Sequence, residues 1–417
     1  MKKKIAIIGL GYVGLPLLLL INKKFDILDF DKDKNKIKLL NKNISYISDV
    51  KKNELKKINK NSFNTTDEYK KIRFCDYIII CLPTPLNKKN EPDMSYIKEC
   101  FKSIKKYLKK NQTIILESSV YTGATKEIFE KELKKKYNLG KNFYLCYSPE
   151  RIDPGKEVIT KKTEYKKITK LISGYSKNCL KKIKKLYSSI FNSIYECETI
   201  EIAETAKLLE NIYRSVNIGL VDEMKTITER LNINIHKVID AAGTKPFGYR
   251  KFSPGPGVGG HCIPIDPVFM SWIAKKKGIK SRFIDLSVAA NLKITNWTLN
   301  KIQKFLKSKK EHKALIIGIT YKKDVNDLRE SPSLKIFRSL LKSKYKIQFS
   351  DPYVKNLKIF KNIYKSVTEK EFHKYQVAII LTDHSSFNYD NILKKFKFII
   401  DSRGVFKNNL NKKIIHI

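Results

Sequence analysis

The chain has no apolar run near the roughly eighteen residues that a bilayer-spanning helix needs; Leu15–Ile21 and Tyr77–Leu82 are both too short. It also lacks a secretory layout, because MKKK is followed by only four apolar residues before Gly9. A cytoplasmic protein with no membrane partner is expected. Cysteine is sparse, with seven residues (75, 81, 100, 146, 179, 197 and 262) and no C-x-x-C spacing. An odd number without that spacing argues against a disulfide scaffold and a zinc ribbon. Reduced thiols and no metal site are expected. Acidic residues are few, 41 against 85 Lys and Arg, giving a formal charge of +44. Such a charge would suit nucleic acid, but the lysines run along the whole chain and form no arm or tail. They read as solvated faces that attract an anionic small substrate, and nucleic acid is not an expected partner.

What is present is apolar content for two or three domains in 417 residues. Lys3–Ile8 reads as a strand that enters Gly9-Leu10-Gly11-Tyr12-Val13-Gly14, and Leu15–Ile21 continues as a helix. In that strand–turn–helix setting Gly9 permits the tight turn, Gly11 lets a pyrophosphate approach the backbone and Gly14 lets helix and strand pack. A second strand, Phe25–Phe30, ends in Asp31, where a carboxylate suits the ribose hydroxyls of NAD and repels a 2′-phosphate. NAD is the expected cofactor. Strand-like runs at Tyr77–Leu82, Thr113–Leu116 and Phe143–Tyr147 alternate with lysine-rich helical stretches, which implies a doubly wound parallel sheet. Ligands bind at the carboxyl ends of such strands. Pro83-Thr84-Pro85, Glu117-Ser118-Ser119 and Ser148-Pro149-Glu150-Arg151 therefore form the expected cofactor and substrate rim.

Thr199–Arg230 reads as one long helix with Lys207, Asn211 and Arg214 at i, i+4 and i+7, on one face. A lysine and an amide aligned in this way can hold an oxyanion. Thr244–Phe252, with Lys245 and Arg250, then leads into SPGPGVGGHCIPIDP at Ser253–Pro267. This loop is expected to deliver Cys262 to the start of a helix over Val268–Lys277, whose N-terminal N–H groups favour a thiolate. Its glycines, Gly259 among them, are expected to let a ligand lie against the backbone. Lys313–Ile317, Lys346–Phe349, Val377–Leu381 and Phe398–Ile400 repeat the strand–helix alternation without a complete GxGxxG. Lys322 and Arg329 in that region suit the charge of a nucleotide-sugar.

Six ordered motifs give the chain its resemblance to the UDP-glucose/GDP-mannose dehydrogenase family. They are GLGYVGLP at 9–16, ESSVYTGAT at 117–125, SPERIDPG at 148–155, KLLENIYRSVNI at 207–218, GVGGHCIPIDP at 257–267 and YKKDVNDLRESP at 321–332. Within it, the wording around 149–155 and 245–267 is most similar to UDP-N-acetylglucosamine 6-dehydrogenases. The resemblance implies two Rossmann-like doubly wound parallel-sheet domains joined by a central helical domain with the long helix. The expected boundaries are 1–198 for NAD, 199–305 for the central dimerisation domain with the cysteine loop, and 306–417 for the UDP-sugar.

The chemistry implied is a four-electron oxidation at C6 of the sugar with two NAD molecules. Cys262 would capture the aldehyde as a thiohemiacetal, then carry a thioester that water hydrolyses. Lys207 and Asn211 would stabilise oxyanions and Asp266 would assist proton transfer, leaving His261 a structural neighbour. Glu150 would serve the hydrolytic step and Ser119, where many members carry threonine, would position water. UDP-glucose enzymes carry a second glutamate four residues after the first, and Pro154, preceded by Asp153, stands there in this chain. UDP-N-acetylglucosamine or an epimer is the expected substrate; UDP-glucose, UDP-N-acetylmannosamine or UDP-N-acetylgalactosamine, GDP-mannose and a non-catalytic nucleotide-binding protein are the alternatives. A homodimer or higher homo-oligomer, built through the central helix, is the expected assembly.

Overall fold

Short runs of Ile, Leu, Val and aromatic residues, buried on both faces, build the central strands of the two parallel sheets. The computed structural model describes residues 3–47, 50, 52–56, 63–152, 167–309 and 313–417. It divides into two compact units, Met1–Glu210 with Val268–Ile279, and Asn211–Pro267 with Lys280–Ile417.

In the first unit, strands β1 (Lys4–Ile8), β2 (Asp26–Phe30), β3 (Phe63–Thr66), β4 (Tyr77–Ile80), β5 (Thr113–Leu116), β6 (Tyr144–Tyr147), β7 (Lys170–Gly174) and β8 (Ile194–Glu196) form one sheet. Its order is β3-β2-β1-β4-β5-β6-β7-β8. All neighbours pair in parallel except β6 and β7, which run antiparallel. The expected parallel core is therefore present, with three strands (β3, β7 and β8) that sequence periodicity did not pick out. Helices α1 (Gly14–Ile21), α2 (Lys34–Asn41), α3 (Lys52–Lys56), α4 (Ser95–Ile104), α5 (Ala124–Lys134) and α6 (Lys177–Tyr187) connect them. Every residue of α1 is buried, as befits a helix that is apolar all round. Asp153 and Pro154 lie outside the described residues.

Helix α7 (Ile200–Arg230) follows the expected long helix to within a residue, and α8 (Ile235–Ala242) comes after it. α9 spans Cys262–Lys276, so it begins six residues before the expected Val268. The prolines that read as breakers are accommodated. Pro264 falls in the first turn, whose N–H groups have no intrahelical partner, and Pro267 forgoes one hydrogen bond. α10 spans Arg282–Ser308.

The second unit carries a five-stranded, all-parallel sheet of order β10-β9-β13-β14-β15 and a hairpin, β11 with β12. The strands are β9 (Lys313–Ile317), β10 (Lys346–Ser350), β11 (Asn356–Ile359), β12 (Asn362–Lys365), β13 (Val377–Ile380), β14 (Phe398–Asp401) and β15 (Ile414–His416), with helices α11 (Pro332–Lys342) and α12 (Tyr389–Lys395). No helix among the described residues is long and apolar enough to cross a membrane.

Candidate functional site

In the first unit the parallel register places the residues after β1, β2, β4, β5 and β6 along one sheet edge. After β1, Gly9 has φ +94° and its N–H donates to Phe30 O at 2.8 Å. A Cβ there would stand 2.6 Å from Cys81 O, and one at Gly14 would overlap the carbonyl oxygen of Gly9. A Cβ at Gly11 would meet nothing within 4 Å. Two glycines are thus required by packing and the third borders open space. Val13 precedes α1 without a side-chain cap, so the positive end of the helix can meet an anion. Asp31 Oδ2 accepts Leu10 N at 3.0 Å and pairs with Lys36 Nζ at 3.3 Å. This cradle fits NAD, with Tyr12 and Val13 in the turn.

The two next turns are tied to each other: Thr84 Oγ1 donates to Ser119 O at 2.6 Å and Ser118 Oγ donates to Leu82 O at 2.7 Å. Pro83 is exposed, whereas Thr84 is buried. Glu117, expected at the rim, is instead sealed inside. Its carboxylate meets Lys170 Nζ at 3.1 Å and accepts the Tyr187 hydroxyl. Lys170 Nζ also lies 3.2 Å from Glu150 Oε2, while Glu150 Oε1 accepts the N–H groups of Arg151 (2.6 Å) and Ile152 (2.9 Å). Burial pushes Glu117 up, and the Glu150 charge adds to that against the pull of Lys170. Burial alone would depress Lys170, but the two carboxylates overcome it and hold the ammonium above its ordinary range. Arg151 anchors the same turn, with Nη2 on Glu210 Oε1 at 2.6 Å and Nη1 donating to Thr169 O at 2.8 Å.

The first turns of α7 serve this unit as well. Glu204 accepts Gly123 N (2.6 Å), Thr125 N (2.9 Å) and Thr125 Oγ1 (2.6 Å), capping α5 at the end of the 117–125 motif. One turn later Lys207 is buried, 6% exposed. Of the polar stripe of α7, Lys207 and Asn211 are buried and Arg214 is half-buried.

In the second unit Asn211 and Asp266 are both buried, and Asn211 Nδ2 donates to Asp266 Oδ2 at 2.6 Å. Cys262 is the first residue of α9, one helical turn before Asp266. Of the seven cysteines it alone is not buried. Burial pushes the Cys75 and Cys100 thiols up to about 12 and raises Cys81 and Cys146 well above the ordinary thiol range. Those groups are held as inert thiols, whereas the N-terminal N–H groups of α9 favour negative charge at Cys262. Burial pushes His261 down, with Arg329 opposing its charge.

The loop glycines differ from expectation. A Cβ at Gly259 would lie 2.6 Å from Tyr321 Cβ and 2.9 Å from Glu330 O, and one at Gly260 (φ +80°) would lie 2.8 Å from the Tyr321 ring. Gly260 N donates to Arg329 O at 2.9 Å. The room these glycines leave is taken by the 321–332 segment, because protein packs where a ligand was expected. The start of the loop is gripped from α7: Gly255 N donates to Asp222 Oδ1 at 3.0 Å, and Lys225 Nζ lies 3.5 Å from Gly255 O and Ser402 O. Arg250 is exposed; Arg214 and Lys322 are half-buried. Arg329 is exposed and forks onto Asp327, Nε at 3.0 Å from both carboxylate oxygens and Nη2 at 2.6 Å from Oδ2. Nearby, His384 Nε2 lies 3.0 Å from Asp351 Oδ2, and its Nδ1 accepts Asp324 N at 3.0 Å, which fixes the loop after β9.

Glu117, Lys170, Glu204, Asp222 and Lys225 were not singled out for these roles by the sequence. Their only advance signal was position: Glu117 at a strand end, and Glu204, Asp222 and Lys225 on the same helix as Lys207.

Comparison with known proteins agrees with this architecture. Three models of one family match in order: the NAD binding domain at 3–191, the central domain at 201–293 and the UDP binding domain at 315–408. A UDP-N-acetyl-D-glucosamine 6-dehydrogenase of Salmonella typhi is 32% identical, over 92% of this chain and 90% of its own length. A UDP-N-acetyl-D-mannosamine dehydrogenase of Methanocaldococcus jannaschii is 31% identical, over 99% of this chain and 94% of its own. The solved UDP-D-ManNAc dehydrogenase of Pyrococcus horikoshii superposes with a TM-score of 0.88 at 26% identity, covering 99% of each chain. The chain is an NAD-dependent oxidoreductase belonging to the UDP-glucose/GDP-mannose dehydrogenase family.

Proposed function

We propose that the chain oxidises the C6 hydroxyl of a UDP-N-acetylhexosamine, the glucosamine or its mannosamine epimer, to the uronate, with Cys262 as covalent nucleophile. The observation that carries this reading is the placement of Cys262, the one thiol not buried, at the first residue of α9, one turn from the Asn211–Asp266 pair. The two named relatives act on these two sugars, and Pro154 stands where UDP-glucose enzymes carry a second glutamate.

Bound NAD supplies the hydride acceptor, one molecule for each oxidation. Gly9, Gly11, Tyr12, Val13 and Gly14 would hold it, with Asp31 toward the ribose and Pro83, Thr84 and Ser119 at the border. The chain's own work begins with the C6 alcohol, whose proton passes to Asp266 through water as the oxyanion forms beside Lys207 and Asn211. The Cys262 thiolate adds to the aldehyde carbon, giving a thiohemiacetal that can lose a second hydride. In the thioester that results, water adds to the carbonyl carbon, the C–S bond breaks, and the thiolate leaves with Glu150 and Ser119 serving that step. The balance is one alcohol and one water converted to one carboxylate, two hydrides and three protons. Arg151, Arg214, Arg250, Lys322 and Arg329 supply positive charge for the diphosphate and sugar.

The same reading assigns 1–198 to NAD, 199–305 to the central domain and 306–417 to the UDP-sugar, in a cytoplasmic homo-oligomer. Tyr213, Leu220, Met224 and Ile227 of α7, with Leu231 just after it, are exposed and recur every three, four or seven residues on one face. An apolar stripe of this length supports a second copy as its cover.

The test is NADH formed per sugar consumed, across UDP-N-acetylglucosamine, UDP-N-acetylmannosamine, UDP-N-acetylgalactosamine, UDP-glucose and GDP-mannose. Two NADH with one of the first two sugars is expected. A yield of one, or turnover of UDP-glucose alone, overturns the reading.

A further inference from the structure

Among the described residues of the first unit Lys170 is the most deeply buried cation, 2% exposed and the first residue of the short strand β7. A lysine is almost never buried in this way unless it is paired. Its ammonium is shared by two carboxylates of different elements, Glu117 at the end of β5 (3.1 Å) and Glu150 after β6 (3.2 Å). Tyr187 of α6 donates its hydroxyl to Glu117, and the rings of Tyr187 and Phe191 lie 5.7 and 5.4 Å from Lys170 Nζ. The Cys81 thiol, at the end of β4, is pushed up by burial and by both carboxylates. Arg151 comes to Glu150 through its backbone N–H. Among the described residues, two N–H groups hold one oxygen of Glu150 and Lys170 holds the other. The backbone donors fix where the carboxylate is, and Lys170 supplies a full positive charge to it.

We propose that Lys170 is the positioning residue for Glu150: it orients the Glu150 carboxylate and keeps it anionic for thioester hydrolysis. The proposal rests on the reading of Glu150 given above. Glu117, with its Tyr187 partner, completes the device by fixing the other side of the ammonium.

The experiment compares Lys170→Arg with Lys170→Met/Glu117→Gln, the second removing one charge of each sign so that only Glu150, the carboxylate under test, loses its cation. Glu150→Gln is measured alongside. Each variant is checked for folding by thermal denaturation and for NAD binding, then followed for NADH release before steady state, for acyl-enzyme by intact mass, and for the pH dependence of uronate formation. Without the cation Glu150 gains its proton more readily, so the acid limb of uronate formation should move to higher pH by on the order of one unit. A burst of two NADH per subunit should precede slow turnover, with kcat lower by about tenfold or more, acyl-enzyme accumulating and KM for the UDP-sugar little changed. Lys170→Arg should keep the wild-type limb. A folded Met/Gln variant with the wild-type limb and no acyl-enzyme, or with both oxidations and hydrolysis slowed alike, overturns the proposal. A wild-type-like Glu150→Gln overturns the reading of Glu150 and this proposal with it, whereas an impaired Glu150→Gln beside an unimpaired Lys170 variant overturns this proposal alone.

Discussion

Asn211 and Asp266, 55 positions apart in the chain, meet through a 2.6 Å hydrogen bond from Nδ2 to Oδ2, with neither side chain more than 3% exposed. A buried carboxylate that loses a donor keeps the desolvation cost and loses the compensation, about 1.5–3 kcal/mol for a charged group. Asn211→Leu, which retains bulk, should lower stability by that amount in chemical denaturation. Because the same amide is proposed to meet an oxyanion, kcat should fall by more than KM rises. An unchanged denaturation midpoint would show that the bond carries no net stability.

Cys262→Ser should bind NAD as the wild type does and form no uronate. The hydroxyl is far less nucleophilic than a thiolate at neutral pH, while the six other cysteines are buried and cannot substitute. Isothermal titration with NAD and chromatographic detection of uronate decide it. Sustained uronate production by the serine variant removes Cys262 from the covalent route.

Gly11 and Gly14 should separate binding from folding. A methyl at Gly11 meets no protein atom within 4 Å, so Gly11→Ala should keep its melting temperature and raise KM for NAD by about tenfold or more, since it stands where the pyrophosphate must approach. A methyl at Gly14 overlaps the Gly9 carbonyl. Gly14→Ala should therefore cost about 1–3 kcal/mol of stability, the usual range for overpacking, before any effect on NAD is considered. Equal melting temperatures for the two variants would contradict this division.

The elements legible in the sequence were those whose apolar runs stand alone: β1, β4, β5, β9 and β13 agree with their expected spans to within a residue or two. α7 was equally plain because its 3.6-residue pattern persists for 31 residues. β7 was not, since Lys-Leu-Ile-Ser-Gly holds only two large apolar residues and begins with a lysine. Its burial depends on Glu117 and Glu150, 53 and 20 positions away. No local pattern reports such a contact. Glu117 shows the same limit from the other side: a glutamate at a strand end reads as a ligand-facing rim, and only the fold brings Tyr187 to it across 70 positions. The cysteine loop is plain in the sequence, yet its glycines read as ligand-facing because the segment that fills their space, 321–332, lies more than 60 residues on.

The exposed face of α7 yields a prediction about assembly. Leu220→Glu with Ile227→Glu places two charges within the stripe and should convert the protein to monomers in sedimentation velocity. Each subunit should retain its far-ultraviolet circular dichroism, because both side chains are exposed. A wild-type monomer, or an oligomer unaffected by both charges, removes α7 from the interface.

Asp222 and Lys225 provide the last test, since both are buried one turn apart on α7 and both touch Gly255 at the head of the cysteine loop. Burial pushes Asp222 up to about 6, with Lys225 opposing, and pushes Lys225 down to about 8, with Asp222 opposing. Removing one partner strands a buried charge, so Lys225→Met alone should cost about 3–5 kcal/mol. Asp222→Asn/Lys225→Met should recover most of that, as the asparagine can still accept Gly255 N. The signs fix the pH dependence. The raised Asp222 favours the fold below its ordinary carboxylate range, and that contribution is lost as pH rises through about 6. The depressed Lys225 favours it above the ordinary lysine range, and that contribution is lost as pH falls through about 8. Between about 6 and 8 both groups are charged and neither contribution is present. The double variant should therefore gain most over the wild type in that window and less on either side. Denaturation midpoints at pH 5, 7 and 9.5 suffice, and a constant difference across the three would mean that the pair is not titrating with the fold.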